Sequence, residues 1–249
     1  MDDNIRFFQD LTEGNLQSLF SHPYTAMLEE LHKCYGVKSQ LNVFYENPSF
    51  SLSSMTDKYR EEWMQNANWL KLSFHSRLNN FSPYEQSGYQ EVYEDCNKVH
   101  KEILRFAGDR SLAKTTTLHY ARATVEGIRA LQDCGVKGLL GLYGTAERPR
   151  PSYASSIEDV PLLRAGKITK SGRMSFAGID IVLDRFTIEE CLLKLQEIKD
   201  REIAKVLIHE QYFYQDFERY QSDFKEKLQT VFAFLTENGF TSAFFEELI

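Results

Sequence analysis

No stretch of this 249-residue sequence approaches the ~18 consecutive apolar residues that a membrane helix needs, so no membrane-spanning role is expected. Met1-Asp2-Asp3-Asn4 has neither the positive n-region nor the apolar h-region of a signal peptide, which makes the cytoplasm the expected location. Basic side chains are the minority, 29 against 36 acidic, for a formal net charge of -7. Nucleic-acid affinity rests on clustered Lys and Arg, so no nucleic-acid partner is expected, and the acidic balance argues against polyanionic ligands in general. The cysteines are few and scattered: Cys34, Cys96, Cys134 and Cys191 form no CxxC pair and read as reduced, packed thiols. Gly135-Val136-Lys137-Gly138-Leu139-Leu140-Gly141 matches neither a P-loop nor a dinucleotide fingerprint, and reads as a helix stop leading into a strand.

What is plentiful is aromatic: 18 Phe, 13 Tyr and 2 Trp, 13% of the chain. Either the core is large or some rings face a ligand. The pattern along the chain alternates strand and helix. Ile5–Phe8 reads as a first buried strand, His22–Tyr35 as an amphipathic helix stopped by Gly36, and Leu41–Tyr45 as a second strand. A helix from Ser54 or Thr56 to Ala67 precedes a third strand, Trp69–Phe74, which delivers His75. The expected succession continues with a helix over Tyr89–Phe106, a strand over Thr115–His119, a helix over Val125–Cys134 and a strand over Gly138–Tyr143.

The polar, proline-bearing segment 145–153 reads as a loop, and Ile168–Phe176 as a hairpin turning at Ser171-Gly172. Ile179–Leu183 reads as a strand, Thr187–Ile198 as a helix, Lys205–Ile208 as a buried strand and Tyr214–Leu235 as the last helix. Strand and helix in alternation imply an α/β fold with a largely parallel sheet. Asn80-Phe81-Ser82 is formally a glycosylation acceptor triplet.

Parallel α/β folds bind ligands beyond the carboxyl ends of their strands. Asp10 follows the first expected strand, His75 the third, His119 ends the fourth, and His209-Glu210 follows the last. Carboxylate and imidazole are ordinary ligands for zinc and related divalent ions, so an Asp10/His75/His119 set is chemically sensible. Each residue also has an ordinary structural role open to it: a strand-end Asp caps turns, and a strand-end His is often tied into the core. His22, His32 and His100 fall on expected helices or their starts and read as surface or capping residues.

At Trp69-Leu70-Lys71-Leu72-Ser73-Phe74-His75-Ser76-Arg77-Leu78-Asn79 the sequence resembles the polysaccharide deacetylase, or NodB-homology, superfamily, whose second motif is a strand delivering His-Ser/Thr-x-x-His. The resemblance implies an irregular (β/α) barrel of about seven strands, here one domain over 1–249, with a divalent metal, zinc being the expectation, held by one Asp and two His. Phe74-His75-Ser76 matches, while Asn79 stands at the second His position, a neutral group suited to contacting substrate. The family's Thr-Phe-Asp-Asp-Gly motif, which supplies the general base and then a metal ligand, is set against Phe7-Phe8-Gln9-Asp10-Leu11: Asp10 keeps the metal role and Gln9 replaces the base. The Arg-Pro-Pro motif corresponds in place to His119-Tyr120-Ala121, and the final Leu-x-x-His to the segment ending Leu207-Ile208-His209.

By this resemblance a water activated at the metal attacks an N- or O-acetyl carbonyl of a saccharide, and His209 protonates the leaving group. Glu210 or Asp180 substitutes for the missing base, Asp180 alternatively orienting His209. Tyr120, Tyr143 and Tyr212, with Tyr45, Phe81 and Tyr84, follow expected strands and are candidates for stacking on sugar rings, as well as for packing. A carbohydrate-active hydrolase with an altered catalytic site is the leading expectation. A non-catalytic carbohydrate-binding barrel and a hydrolase of another amide C–N bond are the alternatives.

Overall fold

The computed structural model describes residues 1–79, 84–144, 152–153 and 157–249. The triplet Asn80-Phe81-Ser82 and most of the polar segment 145–153 lie outside the described residues. In chain order the elements are α1 (Arg6–Glu13), α2 (Pro23–Tyr35), β1 (Ser39–Glu46), α3 (Arg60–Gln65), β2 (Leu70–Leu78), α4 (Tyr89–Phe106), β3 (Thr115–Thr116), α5 (Val125–Asp133) and β4 (Gly138–Gly141). There follow α6 (Val160–Arg164), β5 (Ile168–Ser171), β6 (Met174–Gly178), β7 (Ile181–Val182), α7 (Ile188–Ile198), β8 (Val206–Leu207) and α8 (Phe224–Glu237).

Three sheets result: β1-β2, β3-β4-β6-β5 and β7-β8, with every pair parallel except the β5-β6 hairpin. Isolated parallel bridges link them. Asn4 pairs with Val43 of β1, Leu72 of β2 with Leu112, and Asp2 with His209 beyond β8, while Ile179 N–H donates to Gly141 O and Asp180 N–H to Lys205 O. The staves therefore follow one another in the order of an α/β barrel, although among the described residues the strands form no continuous closed barrel.

Local sequence explains the elements. The α4 stripe Val92, Cys96, Val99, Ile103 and Phe106 recurs at three- and four-residue steps and is buried. The α2 helix starts at Pro23, is capped by the His22 ring accepting from Tyr24 N–H, and ends on Gly36 at φ 67°, a conformation that favours glycine. Thr187 and Glu190 form a capping box on α7. The hairpin at Ser171-Gly172 forms as the sequence predicts. Gly138 follows from a close approach: a Cβ there would sit 2.7 Å from the Phe245 ring, so the aromatic C-terminal segment packs directly on the first residue of β4.

Several expectations are corrected. Ile5–Phe8 is the start of α1, not a strand; Phe7, Phe8 and Leu11 are buried, and a four-residue apolar run cannot distinguish a strand from the first turn of a buried helix. The stave before α1 is Asp2–Asn4, too short and polar to register as one. The Thr115–His119 strand is only Thr115–Thr116, with His119 in a 3-10 turn. The last helix begins at Phe224, because residues 214–216 wrap the start of α1: the Arg6 guanidinium lies 4.0 Å from the centre of the Tyr214 ring and its Nη2 2.7 Å from Asp216 Oδ1. Of the other histidines, His32 stacks on Trp69 at 4.5 Å, and His100 is buried on α4 beside Cys96 rather than exposed.

Candidate metal and catalytic site

The left-handed backbone at Asp3, φ 61°, organises the site. In an extended strand adjacent side chains face opposite ways, but here Asp2 and Asp3 address the same wall. Asp2 Oδ1 accepts from Asn42 Nδ2 at 2.6 Å, and Asn42 in turn accepts from the Ser73 hydroxyl. Asp3 Oδ1 lies 3.0 Å from Nε2 of His75, the residue of β2 left unpaired where the register with β1 shifts between Val43 and Phe44. Asp is among the residues that best tolerate this backbone region.

His119 completes the cluster: its Nδ1 is 3.3 Å from Asp3 Oδ1 and 3.3 Å from His75 Nε2. One ligand atom from each of Asp3, His75 and His119 lies within 4.8 Å of the other two, and among the described residues this is the group of three able to hold a metal ion. The donor chemistry fits a cation. His75 Nδ1 lies 2.5 Å from the carbonyl of Thr117, to which it can only donate, so a neutral His75 ring turns the lone pair of Nε2 toward Asp3 and His119. Electron-pair donors then converge on one point, and the Thr117 carbonyl is the outer partner that fixes a ligating ring.

Phe44, fully buried, sets its ring edge-on to both imidazoles, at 5.0 Å from His75 and 4.9 Å from His119. In the absence of a cation the imidazoles face Asp3 as donors instead: burial opposes ionisation of its carboxyl, but hydrogen bonds from His119 and His75 and the nearby charges of His75 and His209 outweigh it and hold the carboxyl well below its usual range. Gln211 Nε2 donates to the other oxygen, Oδ2, at 2.8 Å.

Beside the cluster, Nδ1 of His209 lies 2.8 Å from Oδ1 of Asp184, which also accepts the His209 backbone N–H at 3.1 Å. Burial works against the imidazolium, but the Asp184 hydrogen bond and the charges of Asp3, Asp184 and Asp2 prevail and raise the His209 pKa above its ordinary value. Asp184 sits at the turn after β7 and is itself buried.

The structure brings His75, His119 and His209 together, and it corrects their expected partners. Asp10 lies on α1, where its Oδ2 meets Nε2 of His22 at 3.1 Å; the carboxylate against His75 and His119 is Asp3. Gln9, also on α1, donates to Glu13, so it does not stand where the motif's base would. Asn79 is exposed one residue past β2; because β2 stays extended to Leu78, a residue four positions beyond His75 is carried away from it rather than brought back by a helical turn. Asp180 pairs with Arg201 at 2.7 Å and Lys205 at 3.0 Å, and Asp184 holds His209 in its place.

Glu210, 0% exposed, is a remote cap for α1, accepting from Ile5 N–H at 2.7 Å, Arg6 N–H at 3.1 Å and Phe7 N–H at 2.7 Å. Tyr143 is 4% exposed and packs at Gly141 and Gly178, so its ring faces are covered. Tyr120, 51% exposed, stands against His119 at 4.4 Å between ring centres, and Tyr212 lies 6.2 Å from His209. Tyr120 and Ala121 both have positive φ, 61° and 52°, an uncommon backbone for residues bearing a Cβ.

Asp2, Asp3, Asp184 and Gln211 escaped the sequence reading. For Asp184 the signal was present, since it directly follows the expected strand Ile179–Leu183. Asp2 and Asp3 are adjacent carboxylates like those of the motif set against Gln9-Asp10, but they lie within a stave too short to recognise.

No protein-family model and no curated protein sequence matches the chain. Solved structures do. A family 4 acetyl xylan esterase from Clostridium thermocellum, in complex with a cobalt ion, aligns at TM-score 0.53 and 14% identity, over 91% of this chain and 83% of the esterase. The fold is that of the family 4 polysaccharide deacetylases. A family 4 pseudoenzyme from Bacillus anthracis aligns at TM-score 0.51 and 12% identity, over 99% of this chain and 63% of that protein. A 4-alpha-glucanotransferase from Thermococcus litoralis aligns at TM-score 0.58 and 13% identity, over 99% of this chain and 38% of the transferase. The chain thus spans less than two thirds of the length of the last two. The deacetylase fold includes both active enzymes and pseudoenzymes, so the residues at the site carry the functional argument.

Proposed function

We propose that this chain, as one barrel domain, is a metal-dependent hydrolase that removes acetyl groups from a saccharide. The observation that carries the reading is the convergence of Asp3, His75 and His119, with Asp2 adjacent in sequence and the Asp184-held His209 alongside. A divalent cation held by Asp3, His75 and His119 would polarise the acetyl carbonyl and favour deprotonation of a water beside it. Asp2 takes the proton from the attacking water, in the role that Gln9 cannot fill. The water oxygen bonds to the carbonyl carbon, and the bond from that carbon to the sugar nitrogen or oxygen breaks. His209, kept protonated by Asp184, donates from Nε2 to the departing atom, so that acetate and the free amine or hydroxyl leave. Phe44 excludes water from one side of the imidazoles, and Tyr120 and Tyr212 are placed to meet a sugar ring.

Metal analysis and acetate release test this together. The expected result is one divalent ion per chain, zinc being the first candidate, and acetate released from an acetylated oligosaccharide, with both lost in Asp3→Asn. The fold likeness to a pseudoenzyme favours a second reading, a barrel that binds saccharide without cleaving it. Glycan binding with no acetate released from any acetylated saccharide would establish that one.

A further inference from the structure

Gln211 is held at one end and unpartnered at the other. Its Nε2 donates to Asp3 Oδ2 at 2.8 Å, which fixes the orientation of the side-chain amide: an oxygen could not face that carboxylate. Its Oε1 is buried and has no hydrogen-bond partner, one of few such side-chain atoms among the described residues. Buried polar atoms are nearly always satisfied, and an exception beside a reactive centre calls for a donor. The covalent geometry of the amide keeps this bare acceptor next to the Asp3 carboxylate, one of the three groups that would hold the metal.

Both oxygens of Asp3 and the outer nitrogen of His75 are already committed. Asp3 Oδ1 faces His75 and His119, and His75 Nδ1 is taken by Thr117. The two kinds of acetyl group differ in one respect relevant to a bare acceptor: an acetamide carries an N–H beside its carbonyl, and an acetyl ester carries none. We infer that Gln211 Oε1 accepts the N–H of an acetamido group, so that the site selects N-acetyl over O-acetyl sugars. The inference rests on the deacetylase reading above and narrows its substrate. A site that hydrogen-bonds a substrate N–H rejects the analogue lacking it, because the buried acceptor is then left unpaired, by as much as 10⁴- to 10⁵-fold in well-built cases.

The test uses a matched pair, a 2-acetamido-2-deoxyglucose oligomer and the corresponding 2-O-acetylglucose oligomer, with two readouts. In kcat/KM the wild-type chain is expected to favour the amide after each rate is divided by that substrate's uncatalysed hydrolysis rate, and Gln211→Met to bring this corrected ratio to within about tenfold of parity. In binding, measured calorimetrically on the full chain with Asp2→Asn to suppress turnover, the amide is expected to bind at least about tenfold tighter than the ester. This arm needs no change at Gln211 and so survives if Gln211→Met fails to fold. Equal losses on both substrates in Gln211→Met would show that Gln211 only holds Asp3, and equal or weaker binding of the amide would likewise overturn the inference. Failure of the deacetylase reading looks different: no acetate from either oligomer and no bound divalent ion, an outcome that removes this inference with it.

Discussion

Asp184 Oδ1 accepts both from the His209 backbone N–H, at 3.1 Å, and from the His209 ring at Nδ1, at 2.8 Å. One carboxylate oxygen thus fixes where the ring sits, which way it turns and how firmly it keeps its proton. Removing the charge in Asp184→Asn lowers the His209 pKa, so the imidazolium is lost at a lower pH. The alkaline limb of the kcat/KM–pH profile is expected to move to lower pH, with about 10²-fold lower activity at the optimum. An unmoved limb in a folded variant would show that His209 is not the acid.

Adding a divalent ion to metal-free protein is expected to raise Tm, since an ion bound only by the native state contributes about 2.7 kcal/mol at one hundred times its Kd. The gain should vanish in Asp3→Asn and in His75→Ala and persist in Asp10→Ala, whose side chain meets His22 instead. Thermal melts with and without chelator check this. A gain lost in Asp10→Ala and kept in Asp3→Asn would reverse the ligand assignment.

Asp2 and Gln9, the residues at the two candidate places of the motif's base, separate cleanly. Asp2→Asn is expected to lower kcat by about 10²- to 10⁴-fold at unchanged metal content, the usual range for losing a general base. Gln9→Ala removes a side chain that reaches only Glu13 and Ser49 and should leave kcat near the wild-type value. Acetate release by both variants is the measurement.

Glu210 is expected to matter for stability. In Glu210→Gln at least one of three backbone N–H donors meets an amide NH2 instead of oxygen, at a cost of about 1 to 3 kcal/mol. Burial, against the hydrogen bonds of those three N–H groups, raises the Glu210 carboxyl to about 7 from an ordinary 4.5. Between these values the native state keeps a proton that the unfolded chain has released. The associated stability is present in full below pH 4.5 and is lost as pH rises through about 7. Urea unfolding at pH 5 and pH 8 should show wild type losing stability over that interval and Glu210→Gln lacking this contribution.

Much of the frame was legible because it depends on local pattern. The α4 stripe, the capping box of α7 and the long, doubly buried β1 and β2 are written in residue spacing, and so was the delivery of His75 from β2. The acidic residues were not, for reasons specific to each. Asp2-Asp3 lies in a stave made of isolated bridges, which has no periodicity to detect, so the motif was set one element late on Gln9-Asp10. Glu210 follows the right strand but turns to the α1 N-terminus, a partner more than 200 residues away that no local pattern reveals. Asn79 matches the motif in spacing, but the chain there is extended, so the spacing does not bring it back to His75. Asp184 obeys the strand-end rule, whereas Asp180 lies nearer the start of the same expected strand and pairs with Arg201 and Lys205.

The bridge from Asp2 to His209 also sets a timetable. Asp2 N–H bonds to Ile208 O and Glu210 N–H to Asp2 O, so the first stave is gripped by the last. At the usual pace of synthesis, 5 to 20 residues per second, about 10 to 40 s separate the emergence of these partners from the ribosome. Through that interval Asp2 and Asp3 wait without His209 and Gln211, and a nascent chain with most of its helices formed would still lack these two partners. On the proposed function, the site is complete only once the stave that leads into His209 has emerged.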